Sequence, residues 1–111
     1  MDCLFCKIIE GKIPSKIIHQ TDKVAAFLDI NPQAVFHALV IPRKHIDRIG
    51  NMEADDSSLI GELIYQAKLI AEKNGYTDYR LVMNNGAEAG QTVFHIHLHI
   101  LAGRRMTWPP G

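Results

Sequence analysis

Residues 94–100 read Phe94-His95-Ile96-His97-Leu98-His99-Ile100, three imidazoles alternating with apolar side chains. Side chains of a β-strand point alternately to opposite faces. The pattern therefore predicts a strand over 94–101, with His95, His97 and His99 on one face and Phe94, Ile96, Leu98 and Ile100 on the other. Alternate imidazoles on such a strand lie about 6.7 Å apart and the outer two about 13 Å. One metal ion gripping all three would require the strand to bend strongly. Two adjacent rings, by contrast, can flank a phosphate, one attacking phosphorus and the next donating to a non-bridging oxygen. A solvated face of structural histidines is the plainer reading. Three in register beside the loop Gly86-Ala87-Glu88-Ala89-Gly90-Gln91-Thr92 favour chemistry, because small residues let backbone N–H groups approach an anion. That loop matches neither the Walker nor the dinucleotide fingerprint, so by itself it also reads as a plain turn.

Outward from this strand, Leu59, Ile60, Leu63, Ile64, Ala67, Ile70 and Ala71 repeat at the three-and-four spacing of a buried stripe and predict a helix from about Asp56 to Asn74. Glu62, Gln66, Lys68 and Glu72 fall outside the stripe. Asp55, Asp56 and Ser57 suit its start, Lys73 its negative end and Gly75 a left-handed cap. Further strands are expected at Ile17 to Gln20, Val24 to Ile30, His37 to Ile41 and Arg80 to Met83, separated by turn signals such as Asn31-Pro32 and Asn85-Gly86. A shorter helix fits Leu4 to Glu10, ended by Gly11 and Pro14. The resulting class is α+β: a largely antiparallel five-stranded sheet, one long helix on one face and a short N-terminal helix.

The chain has 111 residues, which suits one domain over 1–111, and no repeat or linker divides it. Its 12 basic residues balance 12 acidic ones, so no overall field draws in a nucleic-acid polymer. No stretch approaches the roughly 20 apolar residues of a membrane span. The N-terminus lacks the basic start and apolar run of a secretory signal, and two cysteines are too few to staple an extracellular fold, so a cytoplasmic location is expected. Cys3 and Cys6 form a C-x-x-C pair that suits half a zinc site, buried reduced thiols or a redox pair.

The run GQTVFHIHLHIL resembles the histidine-triad (HIT) signature, His-φ-His-φ-His-φ-φ with φ apolar. The likeness extends to DINPQAVFHALVIPRKH upstream and GRRMTWPPG at the end, nearly the whole chain. The triad and the Trp-Pro-Pro-Gly ending together resemble the Hint branch, histidine triad nucleotide-binding proteins that hydrolyse purine nucleoside phosphoramidates and split aminoacyl-adenylates. The resemblance implies that His97 is the nucleophile, that His99 holds a phosphate oxygen and that His37 orients or polarises His97. It places Thr92 and Gln91 at the phosphate or leaving group, Asn84 near the phosphate, and Asp29 at the ribose hydroxyls. Phe5, Ile8, Phe27 and Ile30 correspond to the walls around the purine. Read without the family, Asp29 starts the turn before Asn31-Pro32 and the four apolar residues are ordinary core.

Some HIT relatives with the N-terminal cysteine pair bind structural zinc through a set that maps to Cys3, Cys6, His45 and His95; catalysis by the family requires no cofactor. Relatives are homodimers whose sheet extends across the interface and whose C-terminus, here 103–111 with Trp108, reaches the partner's active site. The alternatives are a dinucleoside polyphosphate hydrolase, which the Trp-Pro-Pro-Gly ending argues against, a non-catalytic purine-nucleotide sensor or scaffold, and a metal-dependent hydrolase, disfavoured by the spacing.

Overall fold

The computed structural model describes residues 2–111, which run α1 (Leu4–Ile9), β1 (Ile17–Gln20), β2 (Val24–Leu28), β3 (Phe36–Pro42), α2 (Ser57–Lys73), β4 (Tyr79–Val82) and β5 (Leu98–Ala102). All strand pairings are antiparallel, in the order β1-β2-β3-β5-β4. Short β1-β2 and β2-β3 connections permit neighbouring hairpins, whereas β5 must pass α2 and β4 before it inserts between β3 and β4. The α+β class, the five strands and both helices agree with expectation.

Strand alternation divides the core in two. Val24, Ala26, Ala38, Val40, Leu98, Ile100 and Ala102 face α2, which returns Leu63, Ala67, Ile70 and Ala71. The intervening residues Ala25, Phe27, Leu39 and Ile41 face the other way and are covered by Cys3, Phe5 and Ile8 of the α1 region. His37 and His99 share the α1 face by the same parity, since Leu39 pairs with His99 and His37 with Leu101.

Helix α2 is preceded by a 3-10 turn, Ala54–Asp56, closed by a reciprocal capping box in which the Asp56 carboxylate accepts from Glu53 N and the Glu53 side chain from Asp56 N. Lys44 Nζ donates to the same Asp56 at 2.6 Å, which ties the helix entrance to the end of β3. Gly75 has φ +86° and follows the last turn, the left-handed cap expected from sequence. Two stripe assignments change. Ile64 is half exposed, and Gln66 is buried, because the Gln66 amide bridges α2 to β1 by bonding His19 Nε2 at 2.7 Å and Glu62 at 2.6 Å.

The strand expected over 94–101 is shorter: β5 begins at Leu98, and residues 93–97 bend away. Continuing the register would set Ile96 opposite Pro42, which has no N–H to donate to the ladder. Ile96 N donates to Ile46 O instead, at 2.8 Å, and Pro42 O accepts from the His95 ring at 2.8 Å. The three histidines therefore do not line one flat strand face, and exposed Phe94 leaves the core.

Candidate active site and the adjoining Cys2His2 cluster

The β3-β5 register brings His37 and His99 together as diagonal neighbours, with His37 Nε2 2.9 Å from His99 Nδ1. Asp29, just after β2, lies beside them, its Oδ2 3.4 Å from His37 Nε2. Its Oδ1 accepts from Asn31 N at 2.8 Å, so the carboxylate does start the turn while its second oxygen remains on the pocket side.

His97 immediately precedes β5 and is buried beside two other rings. Its ring lies 5.0 Å from that of His99, and the Phe5 ring meets it edge-on at 5.1 Å and 89°. His97 Nδ1 is 2.8 Å from His95 O. A carbonyl oxygen only accepts, so Nδ1 carries the hydrogen and a neutral His97 keeps its lone pair on Nε2.

Gln33 N donates to His37 Nδ1 at 3.0 Å, which by the same reasoning puts the His37 hydrogen on Nε2, donating to His99 Nδ1. His99 then carries its own hydrogen on Nε2. The site thus holds one imidazole lone pair, on His97, next to one imidazole donor, on His99. Burial lowers the pKa of His37 and His97 below the ordinary histidine value, and burial together with His97 and His37 brings His99 down to about 4. Near pH 7 all three rings are neutral.

His97 and His99 line a pocket of about 320 Å³ with Phe5, Ile8, Phe27, Asp29, Ile30 and Thr92. That volume is at the small end of the range for ligand sites, and the lining is mostly apolar with a few convergent polar groups. Leu39 and the Ile13–Ser15 turn also contribute. Leu39 was recoverable from sequence by counting two residues on from His37; the turn carried no chemical signal. Ile30 is 98% exposed and forms rim rather than wall.

Three expected contact residues lie off this pocket's lining, and one of them is fully engaged elsewhere. Gln91 is buried with its whole amide engaged: Oε1 accepts from Gly86 N at 2.8 Å, while Nε2 donates to Asp47 O at 2.7 Å and Val93 O at 3.1 Å. It has no hydrogen left for a phosphate and pins the 86–92 loop to the segment after His45. Asn84 lies beside Gly90 and is not among the residues lining the pocket. Trp108, expected at the partner's active site, is 82% exposed and is not among the residues lining its own subunit's pocket.

His95, buried at 0% exposure, turns away from the other two triad histidines. Its Nε2–H donates to Pro42 O, leaving the Nδ1 lone pair facing Cys3 Sγ at 3.5 Å, Cys6 Sγ at 3.6 Å and His45 Nδ1 at 3.2 Å. Cys6 Sγ lies 3.4 Å from His45 Nδ1. A tetrahedral zinc with ordinary bond lengths has N···N edges of about 3.3 Å and N···S edges of about 3.5 Å, so the four donors fit that ion. Cys3 and Cys6 sit at the start of α1, where Cys3 Sγ also accepts from Cys6 N, as the C-x-x-C spacing allows. Burial and then Cys3 push the Cys6 thiol up to about 11, so a cation is what would draw off its proton.

A second donor cluster, Asp29, His37 and His99, is compact enough for an ion. The Gln33 N–H on His37 Nδ1 leaves His37 with a hydrogen, not a lone pair, on the clustered Nε2, which disqualifies it as a ligand in this arrangement.

The profile of the HIT domain matches residues 10–106. The chain belongs to the HIT family. It is 50% identical over 99% of its length to an uncharacterized HIT-like protein of Synechocystis, 97% of which is covered. It is 45% identical over 97% of its length to the 14 kDa zinc-binding protein of Zea mays, covering 87% of that protein. Among solved structures, the HIT family hydrolase of Legionella pneumophila superposes with a TM-score of 0.96 at 48% identity, over 99% of this chain and 100% of that one. Within this HIT chain, no helix among the described residues is long and apolar enough to cross a membrane.

Proposed function

We propose that this HIT protein is a Hint-type hydrolase of purine nucleoside phosphoramidates, acting also on aminoacyl-adenylates. The observation that carries the reading is the hydrogen bond from His97 Nδ1 to His95 O, which leaves Nε2 as a buried lone pair in the wall of the pocket. Phe5, Ile8 and Phe27 suit a purine, and the free oxygen of Asp29 suits ribose hydroxyls. His97 Nε2 attacks the α-phosphorus and the P–N bond to the amine breaks, its electron pair leaving with the amine, which takes up a proton. His99 Nε2–H donates to a non-bridging oxygen as charge develops there. Exposed Thr92 stands at the mouth for the leaving group. Water then cleaves the nucleotidyl-histidine, releasing nucleoside monophosphate and restoring neutral His97.

The Cys3, Cys6, His45 and His95 set fits a structural zinc, supported by the name of the maize relative. Bound there, the ion would anchor α1 and contribute stability rather than chemistry. Homodimerisation through the β4 edge and α2 is proposed with it: exposed Ile64 and Tyr65 of α2 and exposed Trp108 of the tail await cover. Persistent thiols suit a cytoplasmic setting.

The test is release of free amine from an adenosine phosphoramidate, with and without chelator. Wild-type turnover that survives chelation and falls by about 10⁴-fold or more in His97→Ala supports covalent catalysis. Tight adenosine monophosphate binding with no turnover of the wild type would instead favour a sensor.

A further inference from the structure

We propose that the backbone N–H of Gln33, held in place by Arg104, sets the polarity of the His37–His99 pair so that His99 offers a hydrogen, not a lone pair, to the bound phosphate. Arg104 is then a positioning residue, remote from the substrate. The inference rests on the pocket being a phosphate site as proposed above.

Gln33 lies in the loop between β2 and β3, and its N–H is the sole described partner of His37 Nδ1. A neutral imidazole carries one hydrogen. With Nδ1 occupied as an acceptor, that hydrogen sits on Nε2 and points at His99 Nδ1, 2.9 Å away. His99 must accept there, which forces its hydrogen onto Nε2. Reversing the first bond would reverse the whole relay: His37 Nδ1–H, a lone pair on His37 Nε2, His99 Nδ1–H, and finally a lone pair on His99 Nε2 facing an anionic oxygen. Burial keeps both rings neutral, so the polarity cannot be rescued by adding a proton near pH 7.

The segment after β5 holds the loop that makes the first bond through one hydrogen bond, beside a close approach of the chain. Arg104 Nε donates to Gln33 O at 3.0 Å. One residue earlier, Gly103 has φ +93° and no room for a Cβ, which would lie 2.6 Å from Val35 Cβ. Gln33 Nε2 also donates to Asn31 O at 3.1 Å, bracing the same turn whose other end is closed by Asp29. Residues 103–104 leave the sheet directly beyond the β5 strand that carries His99, so one continuous segment presents the donor and clamps the loop that orients it.

The experiment is ¹⁵N NMR of the histidine ring nitrogens near pH 7.5, which distinguishes protonated from bare nitrogens, combined with kinetics on an adenosine phosphoramidate. Wild type and Gln33→Ala, which keeps the N–H, are expected to show hydrogens on Nε2 of both His37 and His99. Gln33→Pro, which lacks the N–H, should populate His37 Nδ1–H and lower kcat about tenfold or more, with a smaller change in KM because the apolar walls are untouched. Arg104→Ala should move the same ring signals in the same direction, more weakly. Wild-type His37 with its hydrogen on Nδ1 overturns the proposal. So do wild-type ring signals in Arg104→Ala, whether or not Gln33→Pro folds. A wild type with the expected ring hydrogens but no phosphoramidase activity defeats the functional reading instead, and leaves the relay standing.

Discussion

His99 combines a short contact to His37, a neighbouring His97 and burial, all of which oppose a positive charge, and its pKa is brought down to about 4. Monitored by NMR, its ring should titrate far below the ordinary histidine midpoint of about 6.5; a midpoint at the ordinary value would refute the buried, neutral site. The sign of the stability effect follows. As pH falls through about 6.5 the unfolded chain takes up protons at His37 and His99 that the folded chain refuses, so these groups destabilise the fold increasingly down to about pH 4, where folded His99 also protonates. Denaturant midpoints across that interval check it, and replacing both residues by Asn should flatten the dependence. At this scale the sequence marked His37, His97 and His99 by pattern and resemblance. It misassigned Gln91, because a side-chain amide at a loop end looks the same whether it meets a ligand or three backbone groups.

Elements owe their limits to backbone groups more than to side-chain pattern. Helix α2 matched its periodicity, yet β5 lost the residues 94–97 assigned to it because Pro42 withholds an N–H from the inner strand β3. Beyond the other end of β5, Gly103 turns the chain at φ +93° against Val35. Gly103→Ala meets both a left-handed backbone and a close Cβ contact, so it should cost about 2–3 kcal/mol. A lower urea midpoint at unchanged m value is the expected result; a neutral effect would show that Val35, which is exposed, moves aside freely. Helix α1 has only six residues, too few to be stable by helix propensity alone. Its place depends on Phe5 and Ile8 packing and on its two cysteines.

For the whole molecule, that dependence joins the proposed metal to the pocket, since Phe5 lies between Cys3 and Cys6 and touches the rings of Phe27, His95 and His97. Chelation of the purified protein is expected to lower Tm, by an amount that grows with metal affinity, and to leave a Cys3→Ser, Cys6→Ser variant unmoved. Metal analysis finding no zinc in the wild type would remove the proposal. The proposed dimer predicts twice the subunit mass by light scattering; charged substitutions at Ile64 and Tyr65, both exposed in the single chain, should shift it toward monomer. A wild-type monomer at working concentration rejects that interface.

Two periodicities in the sequence, 3.6 over 57–73 and 2 along the strands, determined the α+β class and the parity by which Ile96, Leu98 and Ile100 face α2 while His97 and His99 face the pocket. They could do so because each is a local property of successive residues. The resemblance named His95 with the two cysteines, but only tertiary structure brings it to them, 92 and 89 positions away, and sets His37 against His99 across 62 residues. Periodicity specifies a face but not a neighbour. Neighbours come from strand register and from the missing N–H of Pro42, which sends one imidazole to a metal-fitting cluster and keeps the next in the pocket.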